Sequence, residues 1–286
     1  MSVSLAKTKR RISSIESTEK TTKAMELIAS VKTKRFRLSY ERSLEYAHEF
    51  RDLMGYLFGN NPELLSHYGR ENEGDLPTLY IAIGSNLGLC GAYNNNMYKL
   101  IEKTVGKKDV LSPVGSKIYN HYARNGLYPH LDDTFKGLNS SLDWDDFHQN
   151  CAALKEAFNA RKYKNIVILY THYVNSIRFV PLSYPLLPIR IGKKEWKNDS
   201  FCPPILEGGA NEAIHALMPD YLVSVLYSVL LESELSENAS RRTAMDNAND
   251  NADALLKKLN IDYNKARQNS ITQEITEVVG GANANE

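Results

Sequence analysis

The segment Gly84-Ser85-Asn86-Leu87-Gly88-Leu89-Cys90-Gly91 holds the residue types with which a chain could cradle a phosphate or present a thiolate. It follows an apolar run, Leu79 to Ile83, and glycine loops after buried strands hold nucleotides through backbone N–H groups. Its spacing matches neither G-x-G-x-x-G nor G-x-x-x-x-G-K-[ST], and the second pattern occurs nowhere in the chain. A turn between a strand and a helix accounts for Gly88 and Gly91, so they and Cys90 are expected to be structural. A nucleophilic Cys90 would need a histidine base nearby, and no motif supplies one. The seven histidines (48, 67, 121, 130, 148, 172 and 215) form no HxxxH, HExxH or Cys/His cluster, so no metal site is expected. Asp143, Asp145 and Asp146 around Trp144 imitate an acidic site, but carboxylates there also suit the start of a helix. No catalytic residue and no cofactor are expected.

If the chain does no chemistry, its shape must matter. All ten prolines lie between Pro62 and Pro219, and fourteen of the sixteen glycines lie between Gly55 and Gly209. The other two glycines are the pair Gly280-Gly281. Residues 1–54 and 220–279 therefore lack any helix breaker. As continuous helices they would each run roughly 80–90 Å at ~1.5 Å per residue, too long for a compact ball. In the first segment Ile12, Ile15, Met25, Ile28, Val31, Leu44, Ala47, Phe50, Leu53 and Leu57 recur mostly at helical steps. In the last, Leu222, Val225, Leu226, Val229 and Leu230 form one strongly apolar stretch. Ala244, Ala248, Ala252, Leu255, Leu259, Ala266, Ile271, Ile275 and Val278 then continue a narrower stripe, which suits a coiled-coil seam.

Charge matches the two ends to each other. Residues 1–54 hold 12 Lys/Arg against 7 Asp/Glu, and residues 220–279 hold 6 against 10. Opposite signs favour pairing of the two over self-association. Ser17, Thr18, Thr21, Thr22 and Ser30 interrupt the first stripe, and Asn247, Asn249 and Asn251 crowd the last. Such slim, polar surfaces suit a rod that slides or turns inside a collar, and suit equally a loose, weakly specified helix.

Between about residues 76 and 215 the pattern alternates. Leu79–Ile83, Val110–Val114, Ile166–Tyr170 and Ile177–Leu182 read as strands; residues after Asn96, Ser116–Asn125 and Phe147–Ala160 read as helices. This predicts a small parallel or mixed sheet with helices packed on it. Residues 192–212, rich in Gly, Pro and Asn, are expected to be loop. Among the 286 residues, 42% are hydrophobic and 24% charged, with a net charge of +1. That balance argues against whole-surface attraction to nucleic acid. No apolar run approaches the ~20 residues that cross a bilayer, and no signal-peptide layout opens the chain. Cys90, Cys151 and Cys202, odd in number and widely spaced, read as reduced thiols.

The two ends together resemble the gamma subunit of F-type ATP synthases. The likeness rests on Lys9-Arg10-Arg11-Ile12-Ser13-Ser14-Ile15 and Thr22-Lys23-Ala24-Met25-Glu26-Leu27-Ile28-Ala29 near the N-terminus. Near the C-terminus it rests on Glu237 to Ala252, Tyr263-Asn264-Lys265-Ala266-Arg267-Gln268, and Ile271-Thr272-Gln273-Glu274-Ile275 running to Gly280-Gly281. Gly88-Leu89-Cys90-Gly91-Ala92-Tyr93-Asn94 matches the loop after that family's first strand. The resemblance implies an antiparallel two-helix shaft (residues 1–57 and 219–280) carrying a central α/β, Rossmann-like foot (76–215). It implies a non-catalytic rotor inserted in a hexamer of α and β subunits, with the foot against an ε subunit and a membrane c-ring. Arg267 and Gln268, with Lys23 and Met25, fall at positions that contact β in that family. The implied place is the cytoplasmic face of the cell membrane, peripheral and within a larger complex. Asn86-Leu87 departs from the family's Asp-Arg, which bears on what the foot binds. Other readings are the rotor of a specialised F-type-like ATPase driving other machinery, as in some mycoplasmas, or a static coiled-coil adaptor.

Overall fold

A computed structural model describes residues 2–61, 68–126, 130–139, 141, 144–190 and 209–283. Two long helices bracket a small sheet domain. Helix α1 runs over Ser2–Asn60 and α5 over Ala210–Asn283, 59 and 74 residues, or about 90 and 110 Å at the helical rise. Between them come β1 (Leu79–Ile83), α2 (Tyr93–Thr104), β2 (Val110–Val114), α3 (Ser116–Asn125), α4 (Trp144–Asn159), β3 (Ile166–Tyr173) and β4 (Phe179–Leu187). The chain forms two compact units, Met1–Ser30 with Arg241–Glu286, and Val31–Ser240.

In the larger unit the strand order is β2-β1-β3-β4. β1 pairs in parallel with β2 and β3, and β4 turns back antiparallel on β3. A proline cannot donate to a ladder, and Pro113, Pro181 and Pro185 all fall on the two edge strands. Alternation along the strands divides the core. Ile81, Ile83, Ile166 and Ile168 face Phe58, Cys151, Phe158, Leu222 and Leu226. Ala82, Leu111 and Leu169 face Met97, Ile101, Ile118 and Tyr122 on α2 and α3. Each large side chain fully buried in this way contributes roughly 1.5–3 kcal/mol. Asp145 and Asp146 lie in the first turn of α4, where carboxylates favour a helix start; Asp143 lies outside the described residues.

Within this unit α1 and α5 run antiparallel. The Ser228 hydroxyl donates to the Ser43 carbonyl, and Phe50, seven residues on, meets the ring of Tyr221, seven residues back. Helix α5 is buried almost all round from Tyr221 to Ser233, the pattern of a core helix. By composition α5 contains a window apolar enough to cross a membrane, but 72% of it is buried within the protein.

Three expectations need correction. The loop expected over 192–212 ends early: 191–208 lie outside the described residues, and α5 begins at Ala210. Pro219 is consequently inside a helix rather than at its start. Proline removes one helical N–H, which orphans the carbonyl four residues back; Lys155 Nζ donates to that carbonyl, on His215, at 3.1 Å. The third correction concerns the seam. Along α1, shielded positions recur at Leu5, Thr8, Ile12, Ile15, Glu19, Thr22, Glu26 and Ala29 in the smaller unit. In the larger unit they recur at Thr33, Phe36, Tyr40, Ser43, Ala47, Phe50, Met54 and Leu57. On α5 the smaller unit shields Met245, Asn249, Ala252, Leu256, Leu259, Tyr263, Ala266 and Ser270. These alternating steps of three and four give a 3.5-residue period, that of a left-handed coiled coil. Ile28, Val31, Leu44, Leu255, Ile271 and Ile275, assigned to the stripes above, are exposed instead.

Candidate functional site

The loops after β1 and β2 cross at van der Waals limits. Gly115 has φ +92, and a Cβ there would lie 2.6 Å from the Gly84 carbonyl oxygen. Across this crossing Asn86 Oδ1 accepts from both the backbone N–H (3.0 Å) and the hydroxyl (2.9 Å) of Ser116. Asn86 therefore caps α3, whose own N-cap residue, Gly115, has no side chain to do so. Inside the loop, Asn94 Nδ2 donates to Ser85 Oγ (2.7 Å) and Cys90 Sγ (3.3 Å), while its Oδ1 accepts from the Ser85 N–H. Cys90 is buried, Gly91 has φ +58, and Gly88 packs beside Lys117.

Parallel sheets bind ligands in the crevice beyond the C-terminal ends of strands flanking a change of direction. Here that crevice lies between β1 and β3, and one face of α5 fills it. Ser240 Oγ donates to the Cys90 carbonyl (2.7 Å), Ser236 Oγ to the Thr171 carbonyl (3.0 Å), and Tyr93 Oη to the Ser233 carbonyl (3.3 Å). The Thr171 N–H donates to Ser233 Oγ at 3.3 Å. Serines bring a helix backbone close to a sheet and satisfy its polar groups together, so the arrangement grips the helix. The buried thiol of Cys151, pushed up to about 12 by desolvation, is unreactive at neutral pH.

A second polar node adjoins Ser233 on α5. Glu232, whose side chain is 6% exposed, accepts from the Tyr173 N–H at 3.1 Å and is paired with His172 Nδ1. Tyr40 of α1 lines the same cleft as Glu232, and its hydroxyl favours the charged carboxylate. Burial holds the Glu232 carboxyl above the usual carboxylate range, although Tyr173, His172 and Tyr40 each pull it back down. The same burial, with Glu232 beside it, pushes Tyr170 up to about 12. A cleft of about 170 Å³ opens next to the node.

The smaller unit presents surface. At its seam Asn249 Nδ2 donates to Glu26 Oε2 (2.7 Å), and the Thr22 hydroxyl bonds to Asn249 Oδ1. Lys23 is exposed and pairs with Glu19 one turn back, with Asp253 also nearby; the Glu19 hydrogen bond holds its ammonium above the usual lysine range. Met25 is half-buried, and Leu27 and Ile28 are exposed next to it. Arg267 and Gln268 are exposed on α5, 18 residues beyond Asn249, about 27 Å along the helix. The four expected contact residues thus form two separate places. From Ile271 to Glu277 every residue is exposed, including two isoleucines. Leu27, Ile28, Ile271 and Ile275 are the surface that the sequence stripes hid, because each was assigned to the seam or passed over; a strict 3.5-residue register would have placed them outside.

The family model described as "ATP synthase" matches residues 4–284. The "ATP synthase gamma chain" of Malacoplasma penetrans (strain HF-2) is 33% identical over 287 residues, covering 98% of each chain. That of Ureaplasma urealyticum serovar 10 is 36% identical, covering 98% of this chain and 99% of its own. A chain from the mitochondrial ATP synthase of Euglena gracilis (OSCP/F1/c-ring, rotational state 3) has the same fold, with TM-score 0.69 at 19% identity over 99% of this chain and 95% of its own. One from the central stalk and c-ring of the Tetrahymena thermophila enzyme gives TM-score 0.59 at 21% identity, over 80% of this chain and 99% of its own. The chain belongs to the ATP synthase gamma chain family.

Proposed function

We propose that this chain is the central rotor shaft of an ATP synthase, transmitting torque by contact and carrying out no chemistry itself. The observation that carries this reading is the contrast within α5, held fast by the sheet domain at one end and bare from Ile271 to Glu277 at the other. A bare, slim helical end suits a bearing in which a surrounding hexamer of α and β subunits closes on an asymmetric axle. Lys23, Met25, Leu27 and Ile28 form one contact place for β, and Arg267 and Gln268 a second. The loop around Gly88, Cys90 and Gly91 serves as scaffolding for the foot, which docks on an ε subunit and a c-ring at the cytoplasmic face of the cell membrane. Gamma chains of several mycoplasma-group relatives carry the synthase name, which supports a synthase rotor over a specialised motor.

The test is reconstitution with α and β subunits. ATP hydrolysis should depend on the chain, and removal of residues 267–286 should lower turnover while the foot still folds. A static adaptor would bind and leave turnover unchanged, and that result would end the rotor reading.

A further inference from the structure

We infer that Glu232 is the pin that prevents the shaft from slipping in the foot, a positioning residue for torque transfer; this rests on the rotor reading above. Its carboxyl sits where three segments meet. Tyr40 reaches it from α1, the His172 ring and the Tyr173 main chain from β3, and Glu232 itself stands on α5. Around it Val225, Leu226 and Val229 make apolar, non-directional contacts, and Ser228, Ser233 and Ser236 add neutral hydrogen bonds to α1 and β3. The cleft beside the node, lined by Tyr40, Leu44, Tyr170 and Tyr184, leaves packing open on that side. Resistance to shear between helix and sheet therefore falls on directional bonds. Hydrogen bonds to a buried carboxyl are the strong kind, and two adjacent groups on β3 with Tyr40 of α1 beside them fix one relative position.

A buried carboxyl is a costly way to gain stability, since a leucine of similar volume would spare the desolvation. Its use here fits a demand for one defined position. Arg37 supports the same strand end, donating to the Tyr173 hydroxyl and lying 5.4 Å over that ring.

The experiment uses the assembled complex in inverted vesicles, comparing ATP hydrolysis with ATP-driven proton uptake. In Glu232→Leu complexes hydrolysis should persist while protons moved per ATP fall at least severalfold. The reason is that losing charge-assisted hydrogen bonds shifts a local equilibrium by about tenfold or more. Tyr40→Phe and Glu232→Gln should give smaller losses in the same direction, and they keep the test valid if Glu232→Leu fails to assemble. An unchanged proton-to-ATP ratio in these variants, even with lowered melting temperature, would overturn the pin, because a merely structural residue changes yield and not ratio. In the full-length chain alone, the Tyr173 amide should exchange hydrogen about tenfold faster in Glu232→Leu; unchanged exchange would equally overturn it. A wild-type complex that moves no protons would instead strike at the rotor reading, leaving the amide-exchange arm to judge the pin.

Discussion

Two stretches of the same helix live in different surroundings. From Tyr221 to Ser233, α5 is buried nearly all round, with strands, α1 and α4 against it and serines bonded to the sheet. From Asp250 to Ser270 it shields only one residue in three or four, and from Ile271 to Glu277 none. Composition alone changes correspondingly, from Leu/Val-rich to Ala/Asn-rich. The lesson is that a helix meant to be gripped and a helix meant to be touched need different sequences, even when both are part of one element.

Truncation should separate the two stretches most sharply. Leu226→Ala, at a fully buried site, should cost about 2–5 kcal/mol in urea unfolding, whereas Leu255→Ala, 37% exposed, should cost less than about 0.5 kcal/mol. Comparable losses at the two sites would erase the distinction. A smaller effect is expected at the seam. Asn249→Ala removes the amide that bonds Glu26 and Thr22 across the seam, and should cost about 1 kcal/mol, readable by thermal unfolding. Were Asn249→Ala neutral, the polar layer would not set the seam.

The smallest effect is in pH dependence. Glu232 binds its proton more tightly folded than unfolded, so its contribution is complete in acid, below the ordinary value of 4.5, and is lost as pH rises through the raised folded-state value. Groups facing it are Tyr40 and Arg51 from α1, Tyr170 and His172 from β3, and Tyr184 from β4. Glu232→Gln should flatten this fall in stability above about pH 4.5. Parallel curves for the two proteins would show that desolvation is not the dominant influence on the carboxyl.

Much of the fold can be read from where breakers are absent. The gaps in proline and glycine mark both long helices, and apolar runs such as Ile166–Tyr170 mark the strands, because backbone propensity and burial are local signals. The phase of the seam is harder to read. Isoleucines at 28, 271 and 275 are as apolar as true seam residues, and only the partner helix decides which face is covered. Pro219 misplaces the start of α5 because its repair comes from Lys155, 64 positions earlier in the chain. The Glu232 node is invisible for the same reason: its partners lie 60 and 192 residues away. Asn86, a departure from the family pattern, gains a purpose only when its amide is seen capping α3.

The lysine on the His215 carbonyl has a mechanical consequence. A proline within a long helix is the natural soft point of the element, where bending and twisting concentrate. By bonding the freed carbonyl, Lys155 of α4 satisfies the soft point from a second helix, so bending at Pro219 costs that bond as well. A drive train is thereby a little stiffer at this helical proline than the bare helix would be.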